Sequence, residues 1–161
     1  MFIKILLVFA VQGYRNIPSY RRRLPLELSI SPGFSNNQYI EIVQAAHSWN
    51  QASGVELFHI GTPTDTDVVA ELVETGGGTY LRALYNGNGQ WLVKNSTTWI
   101  STRLTDAALY NVALHEFGHT IGLDHALESP VMSYVLVLRP DGTTPLVDRL
   151  SITADDIAGL S

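Results

Sequence analysis

Apolar and polar positions alternate over residues 24–31 (LPLELSIS), a period of two that predicts a half-buried strand. Ser31-Pro32-Gly33 follows with turn residues that end it. From residue 37 to 52 the period lengthens. Tyr39/Ile40, Val43, Ala46/His47 and Asn50 recur at helical spacing, Trp49 is the large core candidate, and Ser53-Gly54 supplies the stop. Residues 55–60 (VELFHI) and 67–73 (DVVAELV) read as two more strands, with Gly76-Gly77-Gly78 breaking the second. Residues 81–85 and 90–93 flank Asn86-Gly87-Asn88-Gly89, whose residue types accept positive φ and signal a hairpin. Residues 97–101 (TTWIS) form a further strand. Thr105 as N-cap and Asp106 in the first turn open a long helix from Ala107 to about Ile121, which Gly122 ends. Residues 135–147 contain Pro140-Asp141-Gly142 and read as a hairpin, and Thr153-Ala154-Asp155-Asp156 caps a short last helix. The order of elements predicts an α+β fold.

Composition narrows the picture. At 161 residues, 45% apolar and 16% charged, the chain suits one globular core rather than a disordered segment. It has no cysteine, which excludes disulfides, thiolate metal sites and cysteine nucleophiles. Charge is uneven. Lys4, Arg15, Arg21, Arg22 and Arg23 are the only charges in the first 23 residues, whereas the rest carries five basic and fifteen acidic residues. That acidic body argues against nucleic-acid binding, which needs a basic footprint. The Arg21-Arg22-Arg23 run reads as a solvated edge. A charged start followed by the apolar run of residues 5–11 resembles a signal segment and equally suits a buried strand; it is far too short to span a bilayer. Residues 1–13 are accordingly set apart as a signal or N-terminal extension.

The chemistry concentrates in residues 115–125, HEFGHTIGLDH, which hold three of the five histidines. His115 and His119 are four apart, about 400° of helical turn, so both imidazoles leave one face. Two nitrogens so placed can grip one ion at about 2.0–2.1 Å each. Glu116 points elsewhere and sits beside the metal, where it can accept a proton. Continuing the helix would carry the chain past the ion, so Gly122 makes the corner that returns His125 as third ligand. Three imidazoles and one open position are the pattern of a catalytic zinc site. Calcium is conceivable at Asp65 and Asp67, but no full ligand loop accompanies them. Gly118 inside the helix costs about 1 kcal/mol against Ala, which points to close packing there.

HEFGHTIGLDH resembles the long zinc signature of the metzincin clan. The resemblance implies a zincin-like domain: a twisted mixed sheet of about five strands with an active-site helix, a backing helix and a short C-terminal helix. It also makes Met132, in Ser129-Pro130-Val131-Met132-Ser133-Tyr134, the methionine of a turn beneath the metal. LELSISPGFS and QAAHSWNQASGVELF resemble the matrixins, the matrix-metalloproteinase-like family, over roughly residues 14–160. Met132-Ser133-Tyr134 is more similar to the serralysin and astacin turn, which implies an oxyanion-stabilising role for Tyr134. The chain departs from matrixins in Ala126 after the third histidine, in having no cysteine for a latency switch, and in offering only His47 and His59 toward a second zinc.

What the resemblance implies for function is a zinc metalloendopeptidase catalytic domain over residues 14–161, hydrolysing extended polypeptides with a zinc-activated water and Glu116 as base. The substrate would pair with an edge strand formed here by Leu81, Arg82, Ala83, Leu84 and Tyr85. Residues 135–149 would wall a pocket beyond the cleaved bond. Asp124 reads as a solvated turn residue, and Asp155 and Asp156 as caps, one of them anchoring structure beneath the site. The expected setting is extracellular, the expected state a monomer, and the expected partner a peptide or protein, with no nucleic acid and no membrane span. The competing reading is a non-proteolytic zinc-binding or interaction module on the same fold; the intact Glu116 argues against it.

Overall fold

The computed structural model describes residues 24–61, 67–72, 74, 76–85, 91–126, 129–133, 135–137, 141, 143, 145 and 148–160, with the strand segments 5–7, 9–10 and 20–21. Five strands form the central sheet: β4 (Leu26–Ile30), β5 (Phe58–Ile60), β6 (Asp67–Leu72), β7 (Gly77–Tyr85) and β8 (Trp91–Ser101). Their order is β7-β8-β6-β4-β5; all are parallel except β7, which runs antiparallel to β8. The short strands β2 (Phe9–Ala10) and β3 (Tyr20–Arg21) pair with β7 and β8, and β1 (Ile5–Leu7) pairs with β9 (Val135–Val137). Residues 5–7 and 9–10 of the apolar start are strand. This is the α+β architecture expected: a mixed sheet with an active-site helix, a backing helix and a short last helix.

Helix α1 (Asn36–Ser53) begins with a complete capping box. Gln38 N donates to Ser35 Oγ at 3.3 Å, and Ser35 N donates to Gln38 Oε1 at 3.0 Å. It stops at Gly54 with φ 72°. Helix α2 (Asp106–Thr120) lies between α1 and the sheet, and every residue from Ala108 to Thr120 is buried. Such a helix cannot be amphipathic. It is apolar or functional all round, which is why its polar residues are informative. Trp49, Phe117, Leu28, Ile42 and Ile100 fill the core, and Trp49 Nε1 donates to the Leu114 carbonyl at 2.9 Å. Helix α3 (Ala154–Ala158) follows the Thr153 cap.

Gly76-Gly77-Gly78 follows the end of β6, as expected, and its last two residues open β7. A Cβ on Gly77 would lie 2.4 Å from Val112 Cγ1, so glycine lets this strand pass close over α2. Residues 90–93 and 97–101 are not two strands but the ends of one, β8. The polar residues between them are absorbed because Asp67 accepts hydrogen bonds from Ser96 N and Oγ, the latter at 2.7 Å. Thr105 occupies the N-cap position of α2, but its hydroxyl donates to the Thr143 carbonyl at 2.9 Å rather than capping the helix. The Asn86–Gly89 turn, Leu138 and Pro140 lie outside the described residues, although β7 and β8 pair antiparallel as far as Tyr85↔Trp91. Among the described residues no helix is long and apolar enough to cross a membrane.

Candidate metal centre

The active-site helix presents His115 and His119 one turn apart on one face, both buried. The corner after it is as expected. Gly122 has φ 101°, and Leu123 N donates to the Gly118 carbonyl at 2.9 Å, closing the helix and turning the chain back. His125 thereby joins the pair, and ligand atoms of all three histidines lie within 4.8 Å of one another. His115 Nε2 is 3.1 Å from His119 Nε2 and 3.3 Å from His125 Nε2. A tetrahedral ion held at about 2.0–2.1 Å would set its nitrogens about 3.3–3.4 Å apart. The donor set and its spacing therefore fit Zn²⁺ with little movement.

The outward nitrogens fix the tautomers. His115 Nδ1 donates to the Val131 carbonyl at 2.6 Å, and His119 Nδ1 donates to the Leu123 carbonyl at 2.8 Å. In each ring this leaves Nε2 with its lone pair facing its partners. Burial works in the same direction. It lowers His115 to about 3 and His119 to about 4, so both rings are neutral near pH 7, as a metal requires.

Glu116 is fully buried against β7. Burial pushes its carboxyl up to about 8, opposed by a hydrogen bond from Thr79. Thr79 Oγ1 lies 2.6 Å from Glu116 Oε2, while Oε1 has no hydrogen-bond partner among the described residues. One carboxylate oxygen is thus anchored and the other is orphaned in a buried place.

Met132 lies beneath the histidine helix. A Cβ on Gly118 would stand 2.3 Å from Met132 Sδ and 3.2 Å from Trp49 Cζ2, which accounts for the interior glycine. The turn is fastened from below. Met132 N donates to Ser129 Oγ at 2.8 Å, and Ser129 Oγ donates to Asp156 Oδ1. Asp156 Oδ2 accepts from Thr153 N and Oγ1, both at 2.8 Å. Asp156 is therefore the cap residue that anchors structure under the site, and Asp155 is exposed. Asp124 is exposed and accepts the His125 backbone N–H at 2.8 Å, the turn role expected.

Of the residues singled out in the sequence, His115, Glu116, His119, His125, Gly122 and Met132 come together. Tyr134 lies outside the described residues. Leu81, Arg82, Ala83, Leu84 and Tyr85 form the far half of β7; Leu81 is buried and Arg82 exposed, and among the described residues β2 pairs with Gly78 and Thr79. Thr79, Ser129 and Val131 contribute to the site without having been singled out for it. Their roles follow from strand register and loop placement, which leave no local sequence signal.

Comparison with known proteins agrees with this geometry. The hatching enzyme of Paracentrotus lividus is 28% identical over 130 residues, covering 74% of this chain and 21% of that protein. The chain thus spans about a fifth of that relative's length. High choriolytic enzyme 1, a hatching enzyme zinc-protease from Oryzias latipes (medaka fish), superposes with a TM-score of 0.53 at 13% identity, over 88% of this chain and 92% of that one. At that identity the likeness is one of fold. The family model described as matrixin matches residues 40–161, three quarters of the chain, and with its metzincin fold and histidine trio the chain belongs to the matrixin family.

Proposed function

We propose that the protein is a zinc-dependent endopeptidase in which His115, His119 and His125 hold the metal and Glu116 is the catalytic base. The observation that carries this is the convergence of three histidine ligand nitrogens, with the residue after His115 a buried carboxylate whose Oε1 has no hydrogen-bond partner among the described residues. Membership in the matrixin family and the likeness to two hatching enzymes support it.

Zinc at the trio would supply Lewis acidity, acidifying a water and polarising a peptide carbonyl. The chain's own residues do the rest. Glu116 takes the proton of the attacking water and returns it to the leaving nitrogen, serving first as base and then as acid. Val131 and Leu123 hold the rings through their carbonyls, so the ligand nitrogens stay aimed during turnover.

The substrate lies extended along β7 at Leu81, Arg82, Ala83, Leu84 and Tyr85, pairing through main-chain hydrogen bonds. Tyr134 is proposed to face the developing oxyanion, and residues 135–149 to wall the pocket beyond the cleaved bond. Residues 14–161 are read as the catalytic unit. An extracellular place of action fits relatives named as hatching enzymes. The test pairs metal analysis with peptide cleavage for the wild type and Glu116→Ala. One zinc per chain in both proteins, with cleavage lost only in the variant, is expected. Zinc without cleavage of any peptide in a broad library would favour a binding module instead.

A further inference from the structure

The base is held by a residue from another element. Thr79 sits on β7 directly opposite Thr98 of β8, and both side chains are buried beneath the active-site helix. Thr79 Oγ1 is 2.6 Å from Glu116 Oε2, 3.2 Å from the Glu116 carbonyl and 3.3 Å from Thr98 Oγ1. A hydroxyl has one proton to give. The shortest contact, to Glu116 Oε2, takes it. Thr98 then donates to Thr79, so the three residues form one directed chain, Thr98 to Thr79 to Glu116.

We propose that Thr79, backed by Thr98, is a positioning residue that pins Glu116 Oε2 and thereby assigns Oε1 as the proton-accepting atom. This rests on reading Glu116 as the base. A free carboxyl can rotate and exchange its oxygens; a carboxyl tied at one oxygen presents the other in a single orientation. The tie also sets base and substrate from the same strand, since Thr79 lies two residues before Leu81. A peptide docked on the far half of β7 is therefore registered against the group that takes the proton. Hydroxyl loss at residue 79 disturbs the orientation of Glu116 and leaves the substrate-pairing backbone intact.

The experiment uses the full zinc-loaded chain and a quenched fluorescent peptide spanning a casein bond that the wild type cuts. Thr79→Val keeps the β-branched shape and removes the hydroxyl; Thr79→Ser keeps the hydroxyl. Thr79→Val should lower kcat about 10–100-fold with KM within about twofold and zinc still at one per chain, whereas Thr79→Ser should stay within about threefold of wild type. Thr98→Val should lower kcat less than Thr79→Val. Difference infrared spectra of metal-free protein against the matching Glu116→Gln form should show the Glu116 carboxyl bands shifted in Thr79→Val and unshifted in Thr79→Ser. The proposal is overturned by wild-type kcat in Thr79→Val, by equal loss in Thr79→Ser, or by unshifted bands in Thr79→Val. Thr79→Ala serves as the hydroxyl-free variant if the valine protein does not fold. If the wild type cuts nothing, or Glu116→Gln cuts as well as wild type, the peptidase reading fails, and the infrared arm still decides whether Thr79 binds Glu116.

Discussion

Met132 places its sulfur over Gly118, the single position of the buried active-site helix that has no side chain. In the middle of a helix Ala is ordinarily better than Gly by about 1 kcal/mol. Here the added methyl would stand 2.3 Å from Met132 Sδ, with Trp49 also in reach. Overpacking a tight core costs about 1–3 kcal/mol. Gly118→Ala should therefore lower stability in chemical denaturation, by up to roughly 2 kcal/mol once the helix gain is deducted. A variant as stable as wild type would mean that the methionine is not wedged there.

Removing the metal should lower the melting temperature. Whatever binds only the folded chain stabilises it by RT ln(1 + [L]/Kd), about 4 kcal/mol at a thousandfold excess over Kd. For a domain of this size that is roughly 8–16 °C. A scanning calorimetry run before and after chelation, then after added zinc, should show the loss and its recovery. His119→Ala should melt at the same temperature with and without zinc.

The metal-free protein should be most stable near pH 6.5. His115 and His119 titrate in the folded chain at about 3 and about 4, against an ordinary value of 6.5. As pH falls below about 6.5 the unfolded chain takes up protons that the folded chain refuses, so stability drops. Glu116 acts with opposite sign. Its carboxyl, raised from 4.5 to about 8, keeps a proton when folded that the unfolded chain releases, so stability drops as pH rises through that window. Two histidines outweigh one glutamate on the acid side, and above pH 6.5 Glu116 acts alone. Melting temperature against pH should show a maximum; a curve rising steadily from pH 5 to 8 would contradict the burial of Glu116.

Asp156 and Ser129 should be energetically coupled. Each oxygen of the buried Asp156 carboxylate receives hydrogen bonds, one from the methionine turn and the other from the Thr153 cap. Asp156→Asn and Ser129→Ala should each cost about 1–3 kcal/mol. A double-mutant cycle should return a coupling of 0.5 kcal/mol or more. Additive effects would show that the two residues hold different parts of the fold.

The metal trio was legible because it is local. Two histidines four apart must share a helix face, and a glycine three positions past the second can make the corner to a third. The capping of α1 by Ser35 is local in the same way, although only its glycine stop was read in advance. Thr79 was not legible as part of the site, and Asp156 was legible only as one of two candidate anchors beneath it. Thr79 meets Glu116 across 37 positions and Asp156 meets Ser129 across 27, distances that only strand register and loop packing fix. The polar middle of β8 carries no local sign of strand for a related reason, since its partner Asp67 lies 29 positions away. Local chemistry predicts where a metal can sit; tertiary contacts decide what orients the groups around it.

The tie from Asp156 through Ser129 to the methionine turn bears on how the pocket comes into being during synthesis. A growing chain displays all three histidines about thirty residues before Asp156 is joined to it. Until then the floor under the rings lacks its clasp, and an ion captured early would sit in an unfinished cup. The histidine pocket is therefore fastened only once residue 156 has been made, later than the sheet and the long helices that precede it in the sequence.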